Sequence, residues 1–162
     1  IGDAAVDLAL DVLSDPARRV PAIPHRIEHV QLLPRGRAAA AGRAGIVCSV
    51  QPAHLLADWR PADRYGGPER SRRAYAFRSL RDGGAVLAFG SDMPAGPMDT
   101  RLALRAATTR QEPDGQPAGG WHPEERLSMA EALESFTVGP ALAAGRPQDG
   151  RLVPGAPADL AI

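Results

Sequence analysis

Short hydrophobic runs alternate along this chain with longer segments in which apolar residues recur at helical spacing. The runs are rich in β-branched and aromatic residues, which predicts three strands, at 25–32, 46–50 and 86–89. The helical spacing predicts five helices, at 3–13, 34–44, 69–82, 99–109 and 128–144. Strands that alternate with helices in this way are typical of parallel sheets with right-handed crossovers. The predicted fold is therefore α/β, either a doubly wound sheet or part of a (β/α)8 barrel.

Local signals mark several of these boundaries. Asp3 is placed to cap the first helix, and Ser128 with Glu131 predicts a capping box at the start of the last one. Residues 53–68 are predicted to form a long excursion, that is, a connecting segment between the second strand and the helix at 69–82. Residues 111–123 are predicted to form a polar loop rich in Gly and Pro. The tail is predicted to add two short strands, at 150–155 and 158–162.

Composition narrows the range of partners. The chain has 162 residues, and 19 basic side chains balance 19 acidic ones, so no net charge attracts nucleic acid or an anionic membrane. No apolar stretch approaches the ~20 residues that a membrane-spanning helix needs. The single cysteine, Cys48, lies in a predicted strand, which favours a buried core residue and a reducing, cytoplasmic location. Because the chain starts at Ile1 rather than Met and ends on an apolar run, we expect it to be a piece of a longer polypeptide.

Asp92 is the residue whose position most favours a chemical role. It follows the strand at 86–89, and open α/β proteins place reactive groups at the carboxyl ends of their strands. A carboxylate there can bind a metal ion or accept the proton of a metal-activated water. The alternative is an acid that caps a helix or forms a turn before Pro94.

His29 occupies the same relative place in the strand at 25–32. His25 shares its face of that strand but lies ~13 Å away at ~3.3 Å per residue, so the two cannot bind one ion. His29 is nearer the carboxyl end and is therefore the candidate ligand, and the alternative is a hydrogen-bonded core histidine. His29 and Asp92 together predict a metal site built from the ends of different strands.

Three further residues are candidates for substrate binding. His54 and Gln51 follow the second strand, where His54 could stabilise a developing oxyanion and Gln51 could orient the substrate. Arg78, on the helix at 69–82, could bind a substrate carboxylate. The alternatives are a solvent-exposed loop position for His54 and a surface role for Arg78. His122, in the polar loop, is expected to be solvated.

The order and spacing of several short motifs resemble the metal-dependent amidohydrolase superfamily. Within it they are most similar to amidohydrolase family 3, which includes N-substituted formamide deformylase-like proteins. The motifs are Arg26-Ile27-Glu28-His29-Val30-Gln31, Ser49-Val50-Gln51-Pro52-Ala53-His54, Ala74-Tyr75-Ala76-Phe77-Arg78-Ser79-Leu80, Leu87-Ala88-Phe89-Gly90-Ser91-Asp92-Met93-Pro94, Thr108-Thr109-Arg110-Gln111, Gly119-Gly120-Trp121 and the ending from Gly150 to Leu160.

The resemblance implies a particular place in a larger fold. Residues 1–145 would be the C-terminal portion of a (β/α)8 barrel, strands six to eight, and 146–162 would return to a small β-sandwich. His29 would be the strand-six metal ligand, and Asp92 the strand-eight ligand and proton acceptor. His54 would lie in the strand-seven segment that lines the substrate pocket. The other ligands would lie upstream, so the chain leaves open whether one or two divalent ions, expected to be zinc, are bound.

The function implied by the resemblance is hydrolysis of non-peptide C–N bonds in small amide-like molecules by a metal-activated water. The rival interpretation is a barrel that has lost its metal and serves as a binding or structural protein. A fragment of this size is expected to be inactive by itself. Its open sheet edge would also favour association into homo-oligomers.

Overall fold

The computed structural model describes residues 1–18 and 23–159, and a parallel sheet organises them. The strands, in spatial order, are β1 (Arg26–Glu28), β2 (Val47–Val50) and β3 (Val86–Phe89). Ile27 pairs with Cys48, and Cys48 with Leu87, so the carboxyl ends of the three strands lie at one edge of the sheet. The predicted α/β fold with parallel strands is confirmed.

Helices connect the strands. The α-helices of the described residues are α1 (Asp3–Leu13), α2 (Ala38–Ala44), α3 (Leu55–Pro61), α4 (Gly67–Ser71), α5 (Phe77–Asp82), α6 (Thr100–Thr109) and α7 (Met129–Ala143). A π-helical turn joins α3 to α4 at Ala62–Gly66, and 3-10 turns lie at Pro16–Arg18, Pro52–His54 and Pro123–Glu125. The predicted capping box of the last helix is confirmed: the Ser128 side chain accepts from the Glu131 N–H, and the Glu131 carboxylate accepts from the Ser128 N–H.

The middle strand lies in the core. Val47, Cys48 and Val50 are each no more than 2% exposed, as expected for a strand covered on both faces. The predicted core position of Cys48 is confirmed by its burial, which also raises the pKa of its thiol to about 12. Helix α7 packs against β3 so closely that a Cβ atom on Gly139 would lie 2.0 Å from the Leu87 carbonyl oxygen. Glycine is therefore needed at this crossing.

The predicted cap of the first helix is wrong. Gly2 is the N-cap residue, with extended backbone, and Asp3 is already the first helical residue. The Asp3 carboxylate instead pairs with Arg70, whose Nη2 lies 2.7 Å from Oδ1. Because the two residues are 67 positions apart in the sequence, the local sequence pattern could not reveal this contact.

The first strand and the excursion differ from their predicted form. Strand β1 ends at Glu28 because His29 and Val30 have φ angles of 70° and 44°, which a strand cannot contain. The predicted excursion at 53–68 is largely helical, and the predicted helix at 69–82 is broken between α4 and α5.

The tail lacks one of its predicted strands. The described residues after α7 contain no strand, so the strand predicted at 150–155 is wrong, and Leu152 is 87% exposed. The strand predicted at 158–162 extends into 160–162, which lie outside the described residues. A domain boundary at 145–146 stays a prediction. Within the described part of the chain, no helix combines the length and the apolar character needed to cross a membrane.

Candidate metal centre

Three side chains converge at the carboxyl edge of the sheet. His29, His54 and Asp92 each present a nitrogen or carboxylate oxygen, and these atoms all lie within 4.8 Å of one another. The two imidazole rings are stacked, with centroids 6.3 Å apart and planes inclined by 23°. The structure therefore brings together the two predicted metal ligands and one of the predicted substrate-binding residues.

The ends of the strands position these side chains. The His29 N–H donates to the Ser49 carbonyl at 2.7 Å, and this hydrogen bond holds His29 beside β2. Its φ of 70° shows that the backbone is no longer in the strand conformation there. Asp92 follows β3 with a φ of 56°. Left-handed backbone is uncommon for residues other than glycine and is concentrated at functional sites.

His54 reaches the cluster from a 3-10 turn. Its N–H donates to the Gln51 carbonyl at 3.1 Å, which begins a turn directly after β2. Its side chain is 16% exposed, against 40% for Asp92, and its Nε2 lies 3.9 Å from Asp92 Oδ2. That separation is too long for a hydrogen bond. The predicted alternative of a solvent-exposed loop histidine is therefore wrong.

The turn after Asp92 packs against His54. The N–H groups of Ala95 and Gly96 lie 2.7 and 3.2 Å from the Asp92 carbonyl oxygen that accepts them. A Cβ atom on Gly96 would lie 2.9 Å from His54 Nε2 and 2.2 Å from the Ser91 carbonyl oxygen. Gly96 therefore lets the turn that carries Asp92 close over the imidazole.

Several atoms at this edge are buried without a hydrogen bond from the described residues. They are His29 Nδ1, His54 Nε2 and Gln51 Oε1. A buried polar atom left unsatisfied costs about 1–3 kcal/mol, so such atoms call for a ligand. An imidazole nitrogen of His29 and a carboxylate oxygen of Asp92 are donors that suit Zn²⁺ and similar divalent ions, and the His54 imidazole lies within 4.8 Å of both. The residues present thus fit a bound cation, and Gln51, the first residue after β2, carries a buried oxygen without a hydrogen bond from the described residues.

Arg78 lies in a different environment. Its guanidinium donates to both carboxylate oxygens of Glu131, at 2.8 and 2.6 Å, and to the Arg126 carbonyl at 3.2 Å. The bidentate pair with Arg78 holds the pKa of Glu131 well below its usual range. These contacts tie α5 to α7. A substrate-binding role for Arg78 stays a prediction that its contacts do not favour.

His122 was expected to be solvated, but the structure largely buries it. Its side chain is 16% exposed, and its ring lies 4.4 Å from that of Trp121. Burial lowers the pKa of His122, since it disfavours the imidazolium. His25 precedes β1, at the opposite end of that strand from His29.

Sequence reasoning missed a second polar group, formed by Gln31, Asp58 and Tyr75. Gln31 Nε2 lies 2.7 Å from Asp58 Oδ2, and the Tyr75 hydroxyl donates to the same oxygen. One signal was available, because Asp58 follows His54 by four residues and would share its face of a helix. This spacing has meaning only on a helix, and the structure shows that 55–61 is one.

Known proteins resemble this chain along its whole length. The model of the amidohydrolase family matches residues 1–162. The protein LONG AFTER FAR-RED 3 of Arabidopsis thaliana is 39% identical over 171 residues, covering 100% of this chain and 28% of that protein. The N-substituted formamide deformylase of Arthrobacter pascens is 26% identical over 165 residues, covering 100% of this chain and 30% of that enzyme.

A solved structure shares the fold. An uncharacterised metal-dependent hydrolase from Pyrococcus horikoshii superimposes with a TM-score of 0.82 at 33% identity, over 98% of this chain and 31% of that one. The chain thus spans less than a third of the length of each of these three proteins. Because the family model covers every residue of the sequence, the chain belongs to the amidohydrolase family.

Proposed function

We propose that this chain is the part of a metal-dependent hydrolase that supplies His29 and Asp92 to the metal centre, and that the complete enzyme hydrolyses non-peptide C–N bonds in small amides. Amidohydrolase-family relatives and a metal-dependent hydrolase of the same fold support a general hydrolase function. The observation that carries the proposal is the convergence of His29, His54 and Asp92 within 4.8 Å at the carboxyl edge of the sheet.

The proposed setting is a (β/α)8 barrel in which β1, β2 and β3 are strands six, seven and eight. Their parallel order and adjacent pairing are consistent with consecutive barrel strands. Residues 1–145 would complete the barrel and 146–162 would return to a smaller domain. The upstream part of the complete protein would supply the remaining ligands, and these would determine whether one or two metal ions bind.

Each residue of the cluster has a proposed task. His29 and Asp92 would bind the cation, with zinc the metal that best suits imidazole and carboxylate donors. A divalent ion held by these residues would lower the pKa of a bound water molecule and polarise the carbonyl group of the substrate. Asp92, with 40% of its side chain exposed, can accept the proton of the attacking water and deliver it to the leaving nitrogen.

His54 and Gln51 would orient the substrate. His54 Nε2 faces the Asp92 carboxylate at 3.9 Å and has no hydrogen bond from the described residues. As a neutral or charged donor it can stabilise the negative charge that develops on the substrate's carbonyl oxygen. Gln51 Oε1, also unsatisfied, can accept from the amide N–H of the substrate.

An N-substituted formamide is the first substrate to test, because the deformylase of Arthrobacter pascens carries that substrate class in its name. The complete protein should release formate from such an amide, lose that activity on chelation and regain it with Zn²⁺. Full activity after chelation would contradict a metal-dependent reaction. A protein that binds no divalent metal and hydrolyses no amide would support the rival, non-catalytic barrel.

A matched pair of variants separates metal binding from substrate orientation. His29→Ala should lose metal, as measured by elemental analysis, whereas His54→Ala should keep its metal and lose turnover. Loss of metal from both variants would make His54 a ligand, and would contradict the orienting role proposed for it.

A further inference from the structure

A cavity of about 420 Å³ is lined in part by residues that follow His29 and His54 in the sequence, and not by His29, His54 or Asp92 themselves. Its walls come from Ile1 and Gly2 at the start of the sequence, from the segment after β1, and from the helical stretch that runs from α3 through α4 to the turn before α5. Gln31 in one wall follows His29 by two residues, and Asp58 in another follows His54 by four, so the cavity starts at the same edge of the sheet. Its volume lies within the range of about 300–1,000 Å³ that small-molecule sites occupy.

One wall of the cavity presents a fixed carboxylate. Gln31 Nε2, at 2.7 Å, and the Tyr75 hydroxyl both donate to Oδ2 of Asp58. The other oxygen, Oδ1, accepts no hydrogen bond from the residues that the structure describes. Tyr75 is 3% exposed and has a φ of 52°, so the core holds it in an unfavourable backbone conformation to place this hydroxyl. Two donors thus hold Oδ2, while Oδ1 is left to accept from a ligand.

The charge of Asp58 has no cationic partner in direct contact within the described part of the chain. Its two donors are neutral, because burial and the Asp58 carboxylate raise the pKa of Tyr75 far above its usual range. Arg70 also lines the cavity, but its guanidinium pairs with Asp3 at 2.7 and 3.2 Å. The buried Arg110 donates to main-chain carbonyls, among them that of Tyr75 at 2.9 Å.

The remaining lining is mainly apolar. It includes the side chains of Leu32, Pro61, Ala62 and Ala74, together with Tyr65 at the open side. A site of this kind combines apolar area for contact with one charged group that fixes orientation. The ligand it suits is an aliphatic or aromatic group that carries a hydrogen-bonding cation.

We propose that this cavity binds an ammonium group on an apolar chain, with Asp58 Oδ1 as its acceptor, and so selects amides that carry a cationic amine away from the bond that is cleaved. As a statement about substrate choice, the inference rests on the proposed function. As a statement about binding, it can be tested without turnover.

Hexylammonium and hexan-1-ol are matched probes, because they share a chain and differ in charge. Calorimetry on the complete protein should show that hexylammonium binds about tenfold more tightly, as expected for a hydrogen bond to a charged group. Asp58→Asn should abolish this preference while keeping the shape of the side chain. The control Asp11→Asn removes an exposed carboxylate of α1 and should leave both affinities unchanged.

A second variant keeps the test decisive if Asp58→Asn unfolds. Ala62→Leu should fill part of the cavity and weaken the binding of both probes by at least about tenfold, because the leucine side chain occupies space in which the hexyl chain would otherwise bury its methylene groups. Undetectable binding of hexylammonium, or equal binding of the two probes, would overturn the inference. So would an unchanged preference in Asp58→Asn.

Turnover tests the substrate class separately. Between two formamides of equal chain length, the wild-type enzyme should favour the one that ends in an ammonium group by about tenfold in kcat/KM, and Asp58→Asn should not. Equal kcat/KM values would overturn the cavity's role and leave metal-dependent hydrolysis intact. Hydrolysis of neither formamide, with tight binding of hexylammonium, would instead overturn the proposed function and support the cavity.

Discussion

Two regions of this molecule hold buried polar groups, and they differ in how completely those groups are hydrogen-bonded. At the carboxyl edge of the sheet, ring nitrogens of His29 and His54 are buried without a partner among the described residues. Behind α5, Arg110 is fully buried yet donates to carbonyls of three residues, and the Glu125 carboxylate accepts from the N–H and hydroxyl of Ser79.

The comparison shows one buried polar group that the fold satisfies and one cluster that it does not; Arg37 Nε, Arg73 Nε and Asp149 Oδ2 are also buried without a hydrogen bond, so it is the convergence of His29, His54 and Asp92 that distinguishes the cluster. Around Arg110 the hydrogen bonds compensate the cost of burying a charge, although burial still lowers the pKa of Arg110 to about 10. At the sheet edge no such compensation comes from the described residues. Unsatisfied donors and acceptors next to left-handed backbone at His29 and Asp92 are expected where a ligand completes the site.

The largest expected effect comes from Asp92→Asn in the complete protein. Because the amide cannot accept the proton of the attacking water, kcat should fall by about 10²–10⁴-fold. The unfolding free energy should change by less than about 0.5 kcal/mol, since Asp92 is partly exposed and is not a core residue. Amide-hydrolysis kinetics and urea unfolding measure the two effects. Turnover within twofold of wild type (about 0.4 kcal/mol in the barrier) would remove Asp92 from the reaction.

Arg110→Met should behave in the opposite way, with its main effect on stability. The substitution leaves the carbonyls of Trp121 and Tyr75 without their buried donor, and the unfolding free energy should fall by about 3 kcal/mol. Arg43→Met, at an exposed position on α2, is the matched control and should change it by less than about 0.5 kcal/mol. Urea denaturation compares the two, and equal midpoints would show that the guanidinium contributes nothing to the fold.

Gly96→Ala should lower kcat by less than Asp92→Asn does, because it displaces the catalytic turn without removing a reacting group. Its methyl group would collide with the Ser91 carbonyl and His54, so the turn that carries Asp92 must shift. We expect kcat to fall about tenfold, as small misplacements of catalytic groups cost at least this much, with the metal retained. Gly90→Ala is the matched control, because a Cβ atom there meets nothing within 4 Å. If the two variants had the same kinetics, the packing of Gly96 on His54 would be irrelevant to the site.

Local patterns predicted those parts of the fold that depend on neighbouring residues. Strand β3 and helix α1 have their predicted bounds, and the capping box at Ser128 is present, because each follows from spacing within a few positions. The break before Tyr75 and the ion pair of Arg78 with Glu131 depend on contacts between distant segments. The spacing of hydrophobic residues within one segment does not indicate which distant segment that segment will contact.

The candidate site shows the same limit. A strand followed at once by a polar residue was enough to predict that His29 and Asp92 lie at one edge of the sheet. The position of His54 in the cluster depends on the 3-10 turn after β2 and on the close approach of Gly96. Those features could not be inferred from the residue types alone.

Anomalous diffraction from crystals of the complete protein loaded with Zn²⁺ tests the central claim most directly. The account predicts a zinc peak at coordination distance, ~2.0–2.2 Å, from both a ring nitrogen of His29 and a carboxylate oxygen of Asp92. A zinc ion held elsewhere in the protein, with His29 and Asp92 free of metal, would contradict it.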